Sequence, residues 1–321
     1  PAGPAHCRGL GCGPAAGVHH PGLCDGGPAD RARPRHWQAG GALWTGLVAA
    51  VGRDAGAAHR VYAPCAQCTA QNRRPAEHEH GHGASEALDW RWPGGAMGGA
   101  DFINVLYSEF LQYDPANPKW EGRDRFFLDP GHMAPMLYSQ LALIGKFTLD
   151  ELKQLRQWGS PTPGHPEVDV MRGIENTSGP LGQGHTYAVG AAIAAKFLKA
   201  RLGEEVMNQT IYAYISDGGI QEEISQGAGR IAGTLGLDNL IMFYDANNVQ
   251  LSTKVEDVDA ENVAMKYEAW GWKVIQINGN DVNEIRKALK EAKAEISKPT
   301  LIIGNTVMGK GAVGADNSCY E

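Results

Sequence analysis

Beyond about residue 100 the chain alternates short apolar runs with longer segments of helical spacing. Residues 210–215, 239–245, 273–277 and 300–306 are rich in β-branched and aromatic side chains, are bounded by turn residues, and predict buried strands. Between them, residues 222–235, 260–270 and 282–296 predict helices. Upstream, helical periodicity covers 101–112 and 133–145, and residues 125–128 are strand-like. Thr148-Leu-Asp-Glu151 has the form of a capping box opening a helix to about residue 158. A Gly- and Pro-rich stretch over 159–184 predicts a long functional loop, followed by a small-residue helix over 185–202. Strands alternating with helices of this length imply βαβ units. The expected class is α/β: a doubly wound, mostly parallel sheet with helices on both faces. No internal repeat is visible.

Composition changes near residue 100. Residues 1–101 contain no Lys, Ile or Phe and no Met before Met97, yet hold five of the six cysteines and eight of the eleven histidines in a Gly/Ala/Pro/Arg-rich background. So few large aliphatic side chains offer little to bury against the entropy of ordering. Three readings stay open for this stretch: a disordered extension, a zinc module built on Cys65, Cys68, His78, His80 and His82, or the product of a non-native reading frame. Five cysteines without a secretory context do not make a disulfide scaffold. The expected division is an atypical, low-order segment over 1–91 and a folded domain, C-terminally incomplete, over 92–321. The formal net charge of −7 argues against nucleic acid as a partner. Residues 41–52, the longest candidate apolar run, fall short of the roughly 20 residues a membrane helix needs. A cytoplasmic protein with no membrane partner is expected.

Two predicted strands end in chemistry. Asp217-Gly-Gly follows the run 210–215, and Asn247 follows the run 239–245, with one helix between. That places a carboxylate and a carboxamide at the carboxyl ends of two strands joined by a crossover, the edge where open α/β sheets bind ligands. Both offer hard oxygen atoms suited to Mg²⁺, and the glycines let a diphosphate approach backbone N–H groups. The plainer reading is a pair of turns, since Asp-Gly and Asn-Asn are turn formers. Glu222 is explained as a carboxylate in a first helical turn. His132 follows Pro130-Gly131, and His165 lies in Pro163-Gly-His-Pro166 close to Ser178-Gly-Pro-Leu-Gly-Gln-Gly184. Histidines in loops are commonly solvated or capping, but two fixed between Gly and Pro are also candidates for catalysis. His185, Trp270 and Trp272 are most simply structural.

These stretches together resemble the N-terminal, thiamine-diphosphate-binding domain of transketolase. The matching segments are Gly94-Gly-Ala-Met-Gly98, Asp124-Arg-Phe-Phe-Leu-Asp-Pro-Gly-His132, Thr162-Pro-Gly-His-Pro-Glu167, Thr177-Ser-Gly-Pro-Leu-Gly-Gln-Gly184, Asp217-Gly through Glu222, and Tyr244-Asp-Ala-Asn247. The resemblance implies that Asp217, the Asn247 side chain and the Val249 carbonyl bind Mg²⁺ or Ca²⁺. It implies that Gly218 and Gly179-Pro180-Leu181 line thiamine diphosphate, that His132 contacts the diphosphate, and that His165 faces the hydroxyl groups of a donor sugar. His132 and His165 are thereby the expected catalytic histidines, and Glu222 is expected at a subunit interface. The implied reaction is reversible transfer of a two-carbon ketol unit from a ketose phosphate to an aldose phosphate.

Departures accompany the resemblance. Trp92 stands where the family usually has a substrate-contacting histidine, and Ser216 where it more often has Gly. A pyrimidine-binding domain, with the glutamate that activates the cofactor, is expected from a separate domain or subunit, in a homodimer or heterotetramer. The Pro163-Gly-His-Pro166 loop favours transketolase over deoxyxylulose-phosphate synthase; phosphoketolase and dihydroxyacetone synthase are further relatives. The alternative from another class is a non-catalytic cofactor-binding fragment or subunit.

Overall fold

The parallel sheet expected from the apolar runs forms the centre of the structure, a computed structural model that describes residues 93–250 and 253–311. The candidate zinc ligands and Trp92 lie outside the described residues. Seven strands are found among the described residues: β1 (Arg125–Leu128), β2 (Ile211–Ser216), β3 (Leu240–Ala246), β4 (Val249–Gln250), β5 (Thr253–Lys254), β6 (Lys273–Asn278) and β7 (Thr300–Asn305). Five of them form one all-parallel sheet in the order β1-β2-β3-β7-β6, while β4 and β5 make a small antiparallel ladder. The helices are α1 (Pro93–Gly98), α2 (Ala100–Val105), α3 (Ala134–Leu143), α4 (Leu149–Lys153), α5 (Gln183–Leu202), α6 (Asp217–Gln221), α7 (Glu223–Thr234), α8 (Val263–Ala269) and α9 (Val282–Lys293).

Alternation along the strands divides the core in two. Phe126, Leu128, Tyr212, Tyr214, Ile241, Phe243 and Ile302 pack with α1, α2, α3 and α9 on one face. Phe127, Ile211, Ala213, Ile215, Met242, Tyr244, Leu301 and Ile303 pack with α5, α7 and Tyr267 of α8 on the other. The strand order explains why α9 lies opposite α7. From β2 to β3 the chain steps one way across the sheet, but from β6 to β7 it steps back. A right-handed crossover that reverses its direction must cross the other face.

Several predicted boundaries move, each for a local reason. The helix expected over 101–112 stops at Val105 and continues as a π-type turn, Leu106–Phe110. There Ser108 Oγ donates to the Asn104 carbonyl at 2.7 Å, the back-bonding that bends helices. The capping box at Thr148 and Glu151 is present, but its helix ends at Lys153 rather than near 158. Thr162 returns over this end, its hydroxyl donating to the Glu151 carbonyl at 2.9 Å and its carbonyl accepting from Arg156 N–H at 2.9 Å. The helix expected over 222–235 is α7, and the Asp217-Gly-Gly turn before it forms a separate short helix, α6, with Glu222 extended between the two.

The register sets the site. Ser216 pairs with Asp245, so Asp217 leaves β2 beside the last residues of β3. The β1 connection departs toward α3 and the β2 connection toward α6, onto opposite faces. Adjacent strands that part this way leave a crevice at their carboxyl ends.

Candidate functional site

Asp217 begins α6 directly after β2 and is 2% exposed. Its Oδ1 accepts the Tyr244 hydroxyl at 2.5 Å, and the backbone N–H dipoles of Asn247 and Asn248 favour the charged form of the carboxylate. Its Oδ2 is buried without a hydrogen-bond partner. Burial pushes this carboxyl up to about 7, with the neighbouring Asp245 adding to the effect. Asp245 is wholly buried and accepts hydrogen bonds from Tyr214 Oη at 2.8 Å, from the Thr306 hydroxyl and from the Asn247 amide. The Asn247 Oδ1 meanwhile accepts the Val249 N–H at 2.9 Å. Asp217, Asn247 and Val249 therefore meet at one corner, where α6 packs on β4.

Three loops meet on the β1 side. A Cβ on Gly131 would lie 2.8 Å from His165 Cδ2, 2.9 Å from Gly179 N and 3.0 Å from Gly179 Cα, so only glycine permits the approach. Gly179 itself has φ +150°, in the region that favours glycine. These loops extend the sheet edge irregularly. Asn176 supplies what a neighbouring strand would: its Oδ1 accepts Leu128 N–H at 3.2 Å and its Nδ2 donates to Leu128 O at 3.0 Å. Ser178 N–H then donates to Pro166 O at 3.0 Å, which brings in the segment carrying His165. Leu181 Cδ1 stands 3.0 Å from where a Cβ on Gly218 would be, joining these loops to the Asp217 corner.

The two loop histidines are electrostatically linked. Burial lowers His132 to about 4, with further lowering from His165 and the Arg156 charge. His165 is exposed, and partial burial and Arg156 lower it as well. Glu222 is exposed and lies in the extended link before α7, so the first-turn explanation is corrected. His185 is fully buried, with Nδ1 2.6 Å from Ser225 Oγ. Trp272 is buried and donates Nε1–H to Gly229 O at 2.8 Å, while Trp270 is partly buried.

Known proteins share this fold. The family described as "Transketolase, thiamine diphosphate binding domain" matches residues 84–320. The chain belongs to the transketolase family. It is 45% identical over 225 residues to a transketolase of Geobacillus stearothermophilus, covering 68% of this chain and 34% of that one. It is 47% identical over 233 residues to a chloroplastic transketolase of Arabidopsis thaliana, covering 70% and 31%. Among solved structures, a transketolase from Leishmania mexicana superposes with a TM-score of 0.70 at 33% identity, covering 84% of this chain and 37% of that one. One from Campylobacter jejuni gives a TM-score of 0.68 at 36% identity, covering 84% and 38%. The chain thus spans about a third of the length of these transketolases.

Within this transketolase domain, the residues at the Asp217 corner fit a hard divalent cation. The donors are oxygens, and the unpartnered Oδ2 is a buried acceptor lacking any proton donor. Among the described residues no group of three or more His, Cys, Asp or Glu is placed to hold a metal. A metal at this corner would instead need oxygens of other kinds, such as side-chain amides and backbone carbonyls, beside the Asp217 carboxylate. Sequence reasoning passed over Asp129 as an individual residue. It is fully buried, its Oδ1 accepts N–H from Gly184 at 2.9 Å and His185 at 3.4 Å, and burial pushes it up to about 6. By satisfying free N–H groups at the start of α5, it anchors the end of the Gly179–Gly182 turn. An acidic residue closing a strand just before Pro130-Gly131 was the available signal.

Proposed function

We propose that this chain forms the metal- and diphosphate-holding part of an enzyme that reversibly transfers a two-carbon ketol unit from a ketose phosphate to an aldose phosphate. The observation that carries this reading is the buried, unpartnered Asp217 Oδ2 beside Asn247 and Gly218 at the carboxyl edge of the sheet. Asp217, the Asn247 amide oxygen and the Val249 carbonyl would hold Mg²⁺, or Ca²⁺ in its place. Gly218 and the Gly179-Pro180-Leu181 turn would line thiamine diphosphate, with His132 toward its diphosphate. When bound, the cofactor supplies the electron sink that lets a carbon–carbon bond beside a carbonyl break and re-form.

The protein's own share is orientation and proton handling. His132 and His165 are held neutral at pH 7 by burial and by Arg156. A neutral imidazole donates through one nitrogen and accepts through the other. His165, exposed at the mouth of its loop, is suited to hydrogen-bond a sugar hydroxyl and to pass a proton to or from it. His132, half-buried, is suited to a fixed anionic group.

Activity in this reading requires a pyrimidine-binding domain or subunit, within a homodimer or heterotetramer. Exposed Tyr187 and Phe197 on α5 and Ile224 and Ile231 on α7 support such an association. The 321-residue chain alone is expected to show no ketol transfer, and addition of a pyrimidine-domain polypeptide is expected to restore it in part. Turnover by the chain alone would overturn the need for a partner. Asp217→Ala is expected to abolish metal-dependent binding of thiamine diphosphate, and an unchanged affinity would reject the site.

A further inference from the structure

The two oxygens of Asp217 differ in surroundings. Oδ1 is engaged by the Tyr244 hydroxyl, and Oδ2 is buried and unpartnered. Tyr244 is itself fixed. It lies within β3, paired in register with Ile215, and is 6% exposed in the core shared with α5 and α7. The next residue, Asp245, projects to the opposite face and takes the Asn247 amide. Consecutive residues of one strand thus each fix one of the two side chains read as metal ligands.

Divalent cations differ in what they accept from a carboxylate. Mg²⁺ demands near-octahedral coordination by closely placed single oxygens, whereas Ca²⁺ takes six to eight oxygens and readily accepts a carboxylate through both. Resting on the reading of Asp217 as a metal ligand, we propose that the Tyr244 hydroxyl is a metal-selectivity determinant. By occupying Oδ1 it leaves the carboxylate a single oxygen to offer, and so favours Mg²⁺ over Ca²⁺. Without the hydroxyl, Ca²⁺ gains a second oxygen from Asp217 and Mg²⁺ gains nothing.

The test is Tyr244→Phe in the full chain. Mg²⁺ or Ca²⁺ is titrated calorimetrically in the presence of saturating thiamine diphosphate, and the ratio of the two dissociation constants is compared with wild type. The variant is expected to shift that ratio toward Ca²⁺ by about tenfold, the size of one hydrogen bond to a charged group. Because a ratio is read, a general loss of affinity cancels. Infrared spectra of the Ca²⁺-loaded protein with carbon-13-labelled aspartate give an independent reading. Wild type is expected to keep the splitting of a carboxylate bound through one oxygen, and the variant to show that of one bound through two. An unmoved ratio with metal-dependent binding intact would overturn the selectivity role alone. So would a two-oxygen signature in wild type, which decides the matter even if the variant fails to fold. Absence of metal-dependent binding in wild type would overturn the metal reading itself.

Discussion

Gly131→Ala probes how the site is assembled, because one methyl group would enter where three loops touch. Two of the three closest atoms to the added carbon are backbone atoms of Gly179, at 2.9 and 3.0 Å. Backbone cannot rotate away as a long side chain can. The third atom, His165 Cδ2 at 2.8 Å, belongs to a ring on a loop tied through Pro166 to Ser178. Relief therefore requires the 176–181 segment to move as a unit against the Asn176 clasp on Leu128. Overpacking of this kind costs about 1–3 kcal/mol. The same displacement carries Leu181 away from Gly218, so affinity for thiamine diphosphate should fall along with stability. Gly227→Ala is the matched control: nothing lies within 4 Å of its added carbon, and it sits inside α7. Exchanging glycine for alanine in a helix gains roughly 0.5–1 kcal/mol. Urea unfolding followed by circular dichroism should show the midpoint moving down for Gly131→Ala and up for Gly227→Ala, with an unchanged slope. Calorimetry should show weaker cofactor binding for Gly131→Ala alone. A Gly131→Ala protein with wild-type midpoint and affinity would refute this account of the loop contacts.

Two further predictions concern the scaffold. Glu175 takes a bidentate pair from Arg123 at 2.9 and 3.0 Å and a third bond from Arg125 at 3.0 Å, with Arg123 and Glu175 side chains only 7% and 8% exposed. Glu175→Ala strands the Arg123 charge and should destabilise the fold by about 3–5 kcal/mol in denaturant titrations; a loss under about 1 kcal/mol would contradict the buried pairing. Burial lowers His185 to about 3, so the unfolded chain binds a proton there that the folded one refuses. That contribution to stability is complete above the ordinary value near 6.5 and is lost as pH falls through the window below it, by about 2 kcal/mol at pH 5. Asp129, pushed up to about 6, titrates in the opposite sense, so the measurement compares wild type with His185→Leu at pH 7 and pH 5. A difference that does not change with pH would reject the assignment.

What the sequence disclosed and what it withheld follow a physical division. The strands β2, β3, β6 and β7 were legible to within a residue because uninterrupted β-branched and aromatic runs with turn-forming flanks are local signals. The parallel pairing followed from strand–helix alternation, but the strand order did not. The features missed depend on partners distant in sequence. Asn176 clasps Leu128 across 48 residues, and Asp129 caps α5 across 55. The early end of α4 is imposed by Thr162, and nothing within residues 149–158 announces it. α1 escaped notice because three of its six residues are glycine, yet Ala96 and Met97 bury it against the sheet. At the site, Asp217, Asn247, His132 and His165 could be named from motifs. The orientation of the Asp217 carboxylate and the Asn247 amide is set by Tyr244, Asp245 and Val249, residues that look like ordinary strand.

The central claim is that the Asp217 corner and the Gly179–Leu181 turn together hold a metal-bound diphosphate. Calorimetric titration of thiamine diphosphate into the wild-type chain, once with Mg²⁺ and once with a chelator, tests it most directly. Binding is expected with Mg²⁺ and its loss with the chelator; equal affinity in both, or none in either, would contradict it.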